Sequence, residues 1–198
     1  MKTYFSTFIT GFSEVVEQTL RECIKDVEIE LLSDGIVVYK TGVKLERIKE
    51  LRFFNNSFLL FTFFPKLGNR PIEEMLKQTI NDRNIISSVT NSLPKKQLTF
   101  RVMATVENQF AGMDKALKEK LEQKIARRKM LTLDRSNPDI EFLFVTRSEG
   151  FGIFGLRLTS HTSYEKTLEK GELYPELAHI LCVFRHHNLQ ITTTTTLY

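Results

Sequence analysis

The first 64 residues change hydrophobic period in a fixed order, and that order restricts the fold more than any single motif. "TYFSTFI" (3–9) is rich in β-branched and aromatic residues and predicts a strand. In "GFSEVVEQTLRECI" (11–24), Phe12, Val15, Val16, Leu20 and Cys23 recur at helical spacing, with Ser13 placed to cap the helix. "VEIELL" (27–32) and "GIVVYK" (35–40) alternate as strands across a Ser33-Asp34-Gly35 turn. "KLERIKEL" (44–51) sets Leu45, Ile48 and Leu51 on one side of a short helix, and a strand follows around 57–64. The order β-α-β-β-α-β is that of the ferredoxin-like split unit.

"FPKLGN" (64–69) reads as a linker, and Pro71 suits the first turn of the next helix. Ile72, Met75, Leu76, Ile80 and Ile85 predict one apolar stripe along that helix, which "NSLPKK" (91–96) breaks. "QLTFRVMAT" (97–105) alternates as a strand. Residues 113–129 form a helix on Met113, Leu117, Leu121 and Ile125. "DIEFLFVTR" (139–147) and "FGIFGLRL" (151–158) are two strands joined by Ser148-Glu149-Gly150. "GELYPELAHILCVF" (171–184) predicts a short C-terminal helix. Beyond it, "RHHNLQITTTTTLY" has no period and reads as an irregular, low-complexity tail.

Charge is distributed unevenly. Residues 91–135 carry eleven Lys and Arg against five Asp and Glu, so this stretch alone exceeds the formal charge of +4 of the whole chain. A polyanion is the natural partner for such a concentration, and a solvated helix face is the plainer alternative. The candidate phosphate contacts are Lys95, Lys96, Arg101, Lys124, Arg127, Arg128, Lys129 and Arg135. Phe100 and Phe110 are the few aromatics nearby, which favours backbone contact over base stacking. Two distant cysteines, Cys23 and Cys182, make no disulfide framework and fit a reducing cytoplasm. The residues "MKTYFSTFITGF" lack the long apolar stretch and small-residue cleavage site of a signal peptide, and the greasiest segment, 53–64, is too short to cross a bilayer.

Motifs that resemble active sites fail on context. "GFGIFG" (150–155) spells a dinucleotide fingerprint, but a strand pattern follows it where a helix is needed. His179, Cys182 and His186 share a helix face, but no second ligand pair completes a zinc site, so no metal site is expected. Glu73 and Glu74 complement a helix N-terminus. In "TLDRSNPDIEFLFV" (132–145), Pro138 pushes Asn137 out of the helical region and Asp139 opens a strand. The knot therefore reads as a turn, and no catalytic residue is expected.

A strand, a basic helix and then "LTLDRSNPDIEFLFVTRSEGFGIFGLRLTSH" resemble the THUMP domain of RNA-modifying enzymes, with Asn137-Pro138-Asp139 as its polar turn. A preceding ferredoxin-like domain is typical of that family. "KTLEKGELYPELAHILC" (166–182) resembles the lead-in to the catalytic domain of THUMP-bearing class I methyltransferases. The resemblance implies an α+β chain: a ferredoxin-like domain (1–66), an α/β THUMP-like domain (67–160), a linker and helix (161–184) and the tail (185–198). It implies docking of structured RNA, with tRNA the expected species, held near its acceptor end by the basic helix. After Phe184 no strand runs into a Gly-rich loop and no Asn-Pro-Pro-Tyr-like motif follows. The expected S-adenosylmethionine would thus belong to a catalytic domain missing here, and this chain is expected to be inactive alone. Two alternatives stand beside this reading. One is a cofactor-binding methyltransferase fragment that uses 169–182 with a partner chain. The other is a ferredoxin-like regulatory or oligomerisation module.

Overall fold

The computed structural model describes residues 1–94, 96–107, 109–127, 130–159 and 172–182. The chain is α+β and divides into two compact units: Met1–Phe58 with Leu158–Tyr198, and Leu59–Arg157.

In the first unit β1 (Lys2–Thr7), α1 (Ser13–Cys23), β2 (Glu28–Ser33), β3 (Ile36–Thr41), α2 (Leu45–Lys49) and the start of β4 (Asn56–Phe64) follow one another. The strand order is β2-β3-β1-β4, with β3 antiparallel to both β1 and β2. This is the split βαβ arrangement expected from the sequence. Gly35 turns the β2–β3 hairpin at φ +80°, a conformation that costs a side-chain-bearing residue energy. Asp34 fixes the same turn by accepting the Gly11 N–H at 2.7 Å. Phe5 stacks on Phe58 at 4.4 Å between centroids, and Val16, Leu20, Ile36, Val38 and Ile48 are buried with them. Ser13 is the first helical residue rather than the cap. Phe12 stands in the cap position and makes no side-chain capping bond.

In the second unit the remainder of β4 leads to α3 (Pro71–Asn81), α4 (Arg83–Asn91), β5 (Leu98–Val106), β6 (Gln109–Phe110), α5 (Lys115–Ala126), β7 (Leu131–Leu133), β8 (Ile140–Thr146) and β9 (Gly152–Arg157). The strand order is β4-β9-β8-β5-β6, with β7 paired to β5. β5 and β8 run parallel, so the chain needs a crossover between them, and α5 supplies it. Phe100, Val102, Ala104, Phe142, Phe144 and Phe154 form the core with Met75, Leu76, Ile80, Leu121 and Ile125 from the helices. Phe144 and Phe154 stack at 4.3 Å.

The single helix expected from Pro71 through Ile85 is two helices. Asp82 sits between them in extended conformation (φ −88°, ψ 112°), and its carboxylate accepts the Asn84 N–H at 2.7 Å. A short acid that bonds a nearby backbone N–H offers the chain a cap in place of another helical turn. The sequence pattern does not predict β6 and β7, which are two and three residues long. "GFGIFG" forms the turn and second strand of the β8–β9 hairpin. Gly150 turns at φ +88°, and a Cβ on Gly152 would collide with Met75 and Leu67. Its glycines thus have conformational and packing reasons.

Truncating Phe154 to Ala removes the ring that contacts Phe61, Phe142 and Phe144. The expected loss is about 3–5 kcal/mol of stability, read as a lower urea midpoint at unchanged slope.

Candidate nucleic-acid interface

At the start of β5 the chain segments that carry several of the candidate cations run side by side. Leu98–Phe100 pair in parallel with Leu131–Leu133, so the end of α5 and the chain after it come alongside β5. Leu98 donates to the Met130 carbonyl at 2.9 Å, and Asp134 donates to the Phe100 carbonyl at 3.0 Å. Lys96 precedes this ladder, Arg127 is the C-cap residue of α5, and Arg101 and Arg135 flank the far side. Lys96, Arg127 and Arg135 are exposed. Lys95, Arg128 and Lys129 lie outside the described residues.

Three of the expected phosphate contacts, Lys124, Arg101 and Arg135, have partners within the protein. The Lys124 ammonium donates to the Ile80 carbonyl at 2.5 Å, near the end of α3, where carbonyls lack helical partners. Arg101 is mostly buried: Nε donates to the Glu141 Oε1 at 2.6 Å and Nη1 to the Arg135 carbonyl at 3.4 Å.

The register explains this pairing. Arg101 lies directly opposite Glu141 across the parallel β5–β8 pair. Phe142 faces Leu156 across β8–β9, which brings Arg157 beside Glu141, and the Arg157 Nη1 approaches Oε2 at 2.5 Å. One buried acid therefore stands between two arginines on adjacent strands. Burial alone would push the Glu141 carboxyl up, but hydrogen bonds and charge from Arg157 and Arg101 hold it below the usual carboxylate range.

The 134–139 loop is held by its own acids. Asp134 accepts the N–H groups of Ser136 at 2.9 Å and Asn137 at 3.0 Å. The Asn137 and Ser136 amides lower its pKa. Asp139 accepts the Thr99 N–H at 2.7 Å and its hydroxyl at 2.9 Å, and the same contacts, aided by Lys96, lower its pKa. Both acids stay ionised at neutral pH and have structural partners, as the reading of the knot as a turn requires. Arg135 reaches from this loop to α5, where its Nη2 donates to the Glu122 Oε2 at 2.6 Å.

Sequence reasoning finds the cations but misses the two buried acids, Glu122 and Glu141, that organise them. Glu122 stands within the basic stretch, where an acid reads only as charge dilution. Once β5 and β8 are known to pair in parallel, Glu141 becomes legible by register. Among the described residues no group of three or more His, Cys, Asp or Glu is placed to hold a metal. The ring of His179 instead stacks on Phe53 at 5.9 Å, and His186 lies outside the described residues. No described helix is long and apolar enough to cross a membrane.

Glu141→Gln removes the carboxylate that two mostly buried arginines share. The expected cost at neutral pH is about 3 kcal/mol. A depressed folded pKa stabilises only above the unfolded value of about 4.3 and is lost as pH falls through the folded one. The gap between wild type and Glu141→Gln in urea denaturation is therefore full at neutral pH and narrows in acid.

No protein-family model and no curated protein matches the sequence. Solved structures do match. TrmN from Thermus thermophilus aligns at a TM-score of 0.62 and 17% identity, over 91% of this chain and 53% of that one. A predicted N6-adenine-specific DNA methylase from Listeria monocytogenes str. 4b F2365 aligns at 0.55 and 14% identity, over 92% of this chain and 48% of that one. A 4-thiouridine synthetase solved as an RNA complex with bound ATP aligns at 0.50 and 19% identity, over 79% of this chain and 41% of that one. The chain thus spans about half the length of the structures it matches, or less. At these identities the likeness is one of fold.

Proposed function

We propose that this chain is the RNA-docking portion of a THUMP-type RNA methyltransferase, with structured RNA as its ligand and tRNA as the favoured species. The observation that carries the reading is the pairing of β7 with the start of β5, which borders that ladder with three exposed cations, Lys96 before β5, Arg127 before β7 and Arg135 after it. Cations gathered this way grip phosphates without reading sequence. The fold likeness to a synthetase solved with RNA supports the same ligand class. In this reading residues 1–66 are the ferredoxin-like domain, 67–160 the THUMP-like domain, and 161–184 the lead-in to a methyltransferase domain. S-adenosylmethionine is the cofactor expected of that methyltransferase domain. Lys96, Arg127 and Arg135 make the principal phosphate contacts, joined by Lys95, Arg128 and Lys129. Arg101 and Lys124 contribute charge from behind their intramolecular partners.

The test is fluorescence anisotropy with a labelled RNA hairpin carrying an unpaired 3′ end, over a range of salt. Affinity should fall linearly on log–log axes as salt rises. Reversing Arg127 and Arg128 to Glu should weaken binding and flatten the slope by roughly 0.7 for each single-strand phosphate that is no longer neutralised. Affinity indifferent to salt, or to the reversal, contradicts the reading.

A further inference from the structure

Glu122 is out of character in its helix. α5 is lysine-rich and surface-lying, yet Glu122 is 2% exposed. A carboxylate removed from water carries a large desolvation cost unless it is well partnered. Its Oε2 accepts from Arg135 at 2.6 Å, the Lys118 ammonium stands 3.8 Å from Oε1, and Oε1 itself accepts no hydrogen bond from the described residues. Against that cost the partnering among the described residues is incomplete, with one carboxylate oxygen bonded and the other not.

Arg135 is the end of the pair with room for a ligand. Its side chain is 52% exposed, although one of its guanidinium nitrogens is fixed to a buried oxygen. The backbone beneath it is fixed as well. Arg101 donates to the Arg135 carbonyl, Asp134 closes the following turn, and Asp139 anchors the loop's far end to Thr99. A guanidinium carries five N–H donors in a planar fork. One edge on Glu122 leaves donors for a second, incoming oxyanion. Holding the fork in place beforehand removes the ordering cost that a free arginine would incur on binding.

We propose that Glu122 is a positioning residue: from the buried side it holds the Arg135 guanidinium as a preformed clamp for an RNA phosphate. This rests on the RNA-docking reading and deepens it. The acid repels phosphate in isolation, yet in this geometry its removal weakens RNA binding.

The experiment is a double-mutant cycle on the full chain, with RNA-hairpin affinity and melting temperature as readouts. Glu122→Leu removes the carboxylate at similar volume, and replacing a buried ionic group by an apolar one often leaves stability intact. Expected are an unchanged melting temperature, an affinity loss of about tenfold, and no further loss when Glu122→Leu is added to Arg135→Ala. If Glu122→Leu melts early, Glu122→Gln replaces it, with a smaller loss that also vanishes in the Arg135→Ala background. An affinity loss that persists in that background overturns the proposal, as does unchanged affinity in the single variant. Binding by the wild type without this coupling overturns only the clamp. No binding by the wild type overturns the docking reading along with it.

Discussion

The parallel pairing of β5 with β8 is the constraint on which the second unit depends. Parallel neighbours cannot be joined by a tight turn, so the chain must cross over, and it does so through α5. The helix therefore returns to the start of β5, where β7 adds three residues of ladder. Cations that are far apart in sequence, Lys96 before β5, Arg127 at the end of α5 and Arg135 after β7, reach one end of the sheet because of that crossover.

The same pairing sorts apolar and ionic side chains. Residues along a strand alternate between faces. Phe100, Val102 and Ala104 thus share the face of Phe142 and Phe144, while Arg101 and Glu141 project to the other. The phenylalanine face supplies the greater part of the stability, since burial of large apolar side chains dominates such cores. The Arg101–Glu141–Arg157 row acts on register. A slip by one residue would drive Glu141 into the aromatic face and leave both arginines without their acid. The row also reaches the 134–139 loop, because Arg101 holds the carbonyl of Arg135 and so ties sheet register to loop position.

Local features are legible in the sequence, and features that depend on tertiary pairing are not. The βαββαβ order can be read because each element carries its own hydrophobic period. The turn at Asn137-Pro138-Asp139 can be read because proline limits its own φ and its neighbour's conformation. The break at Asp82 is hidden because the apolar stripe continues across it from Ile80 to Ile85, and one side-chain hydrogen bond decides the matter. β7 is hidden because three residues carry no period. Lys124 reads as a surface cation because nothing local tells that the end of α3 lies within reach of its ammonium. Glu122 and Glu141 are the largest omission, since each takes its meaning from an arginine at least thirteen residues away, Arg135 for Glu122.

In the proposed function, the start of β5 and the 134–139 loop form the surface that meets RNA. Ultraviolet cross-linking of the full chain to the RNA hairpin, followed by peptide mass spectrometry, tests it most directly. The account predicts adducts concentrated between residues 95 and 101 and between 127 and 137. Adducts confined to residues 1–58, or scattered evenly over the lysines and arginines of both units, would contradict it.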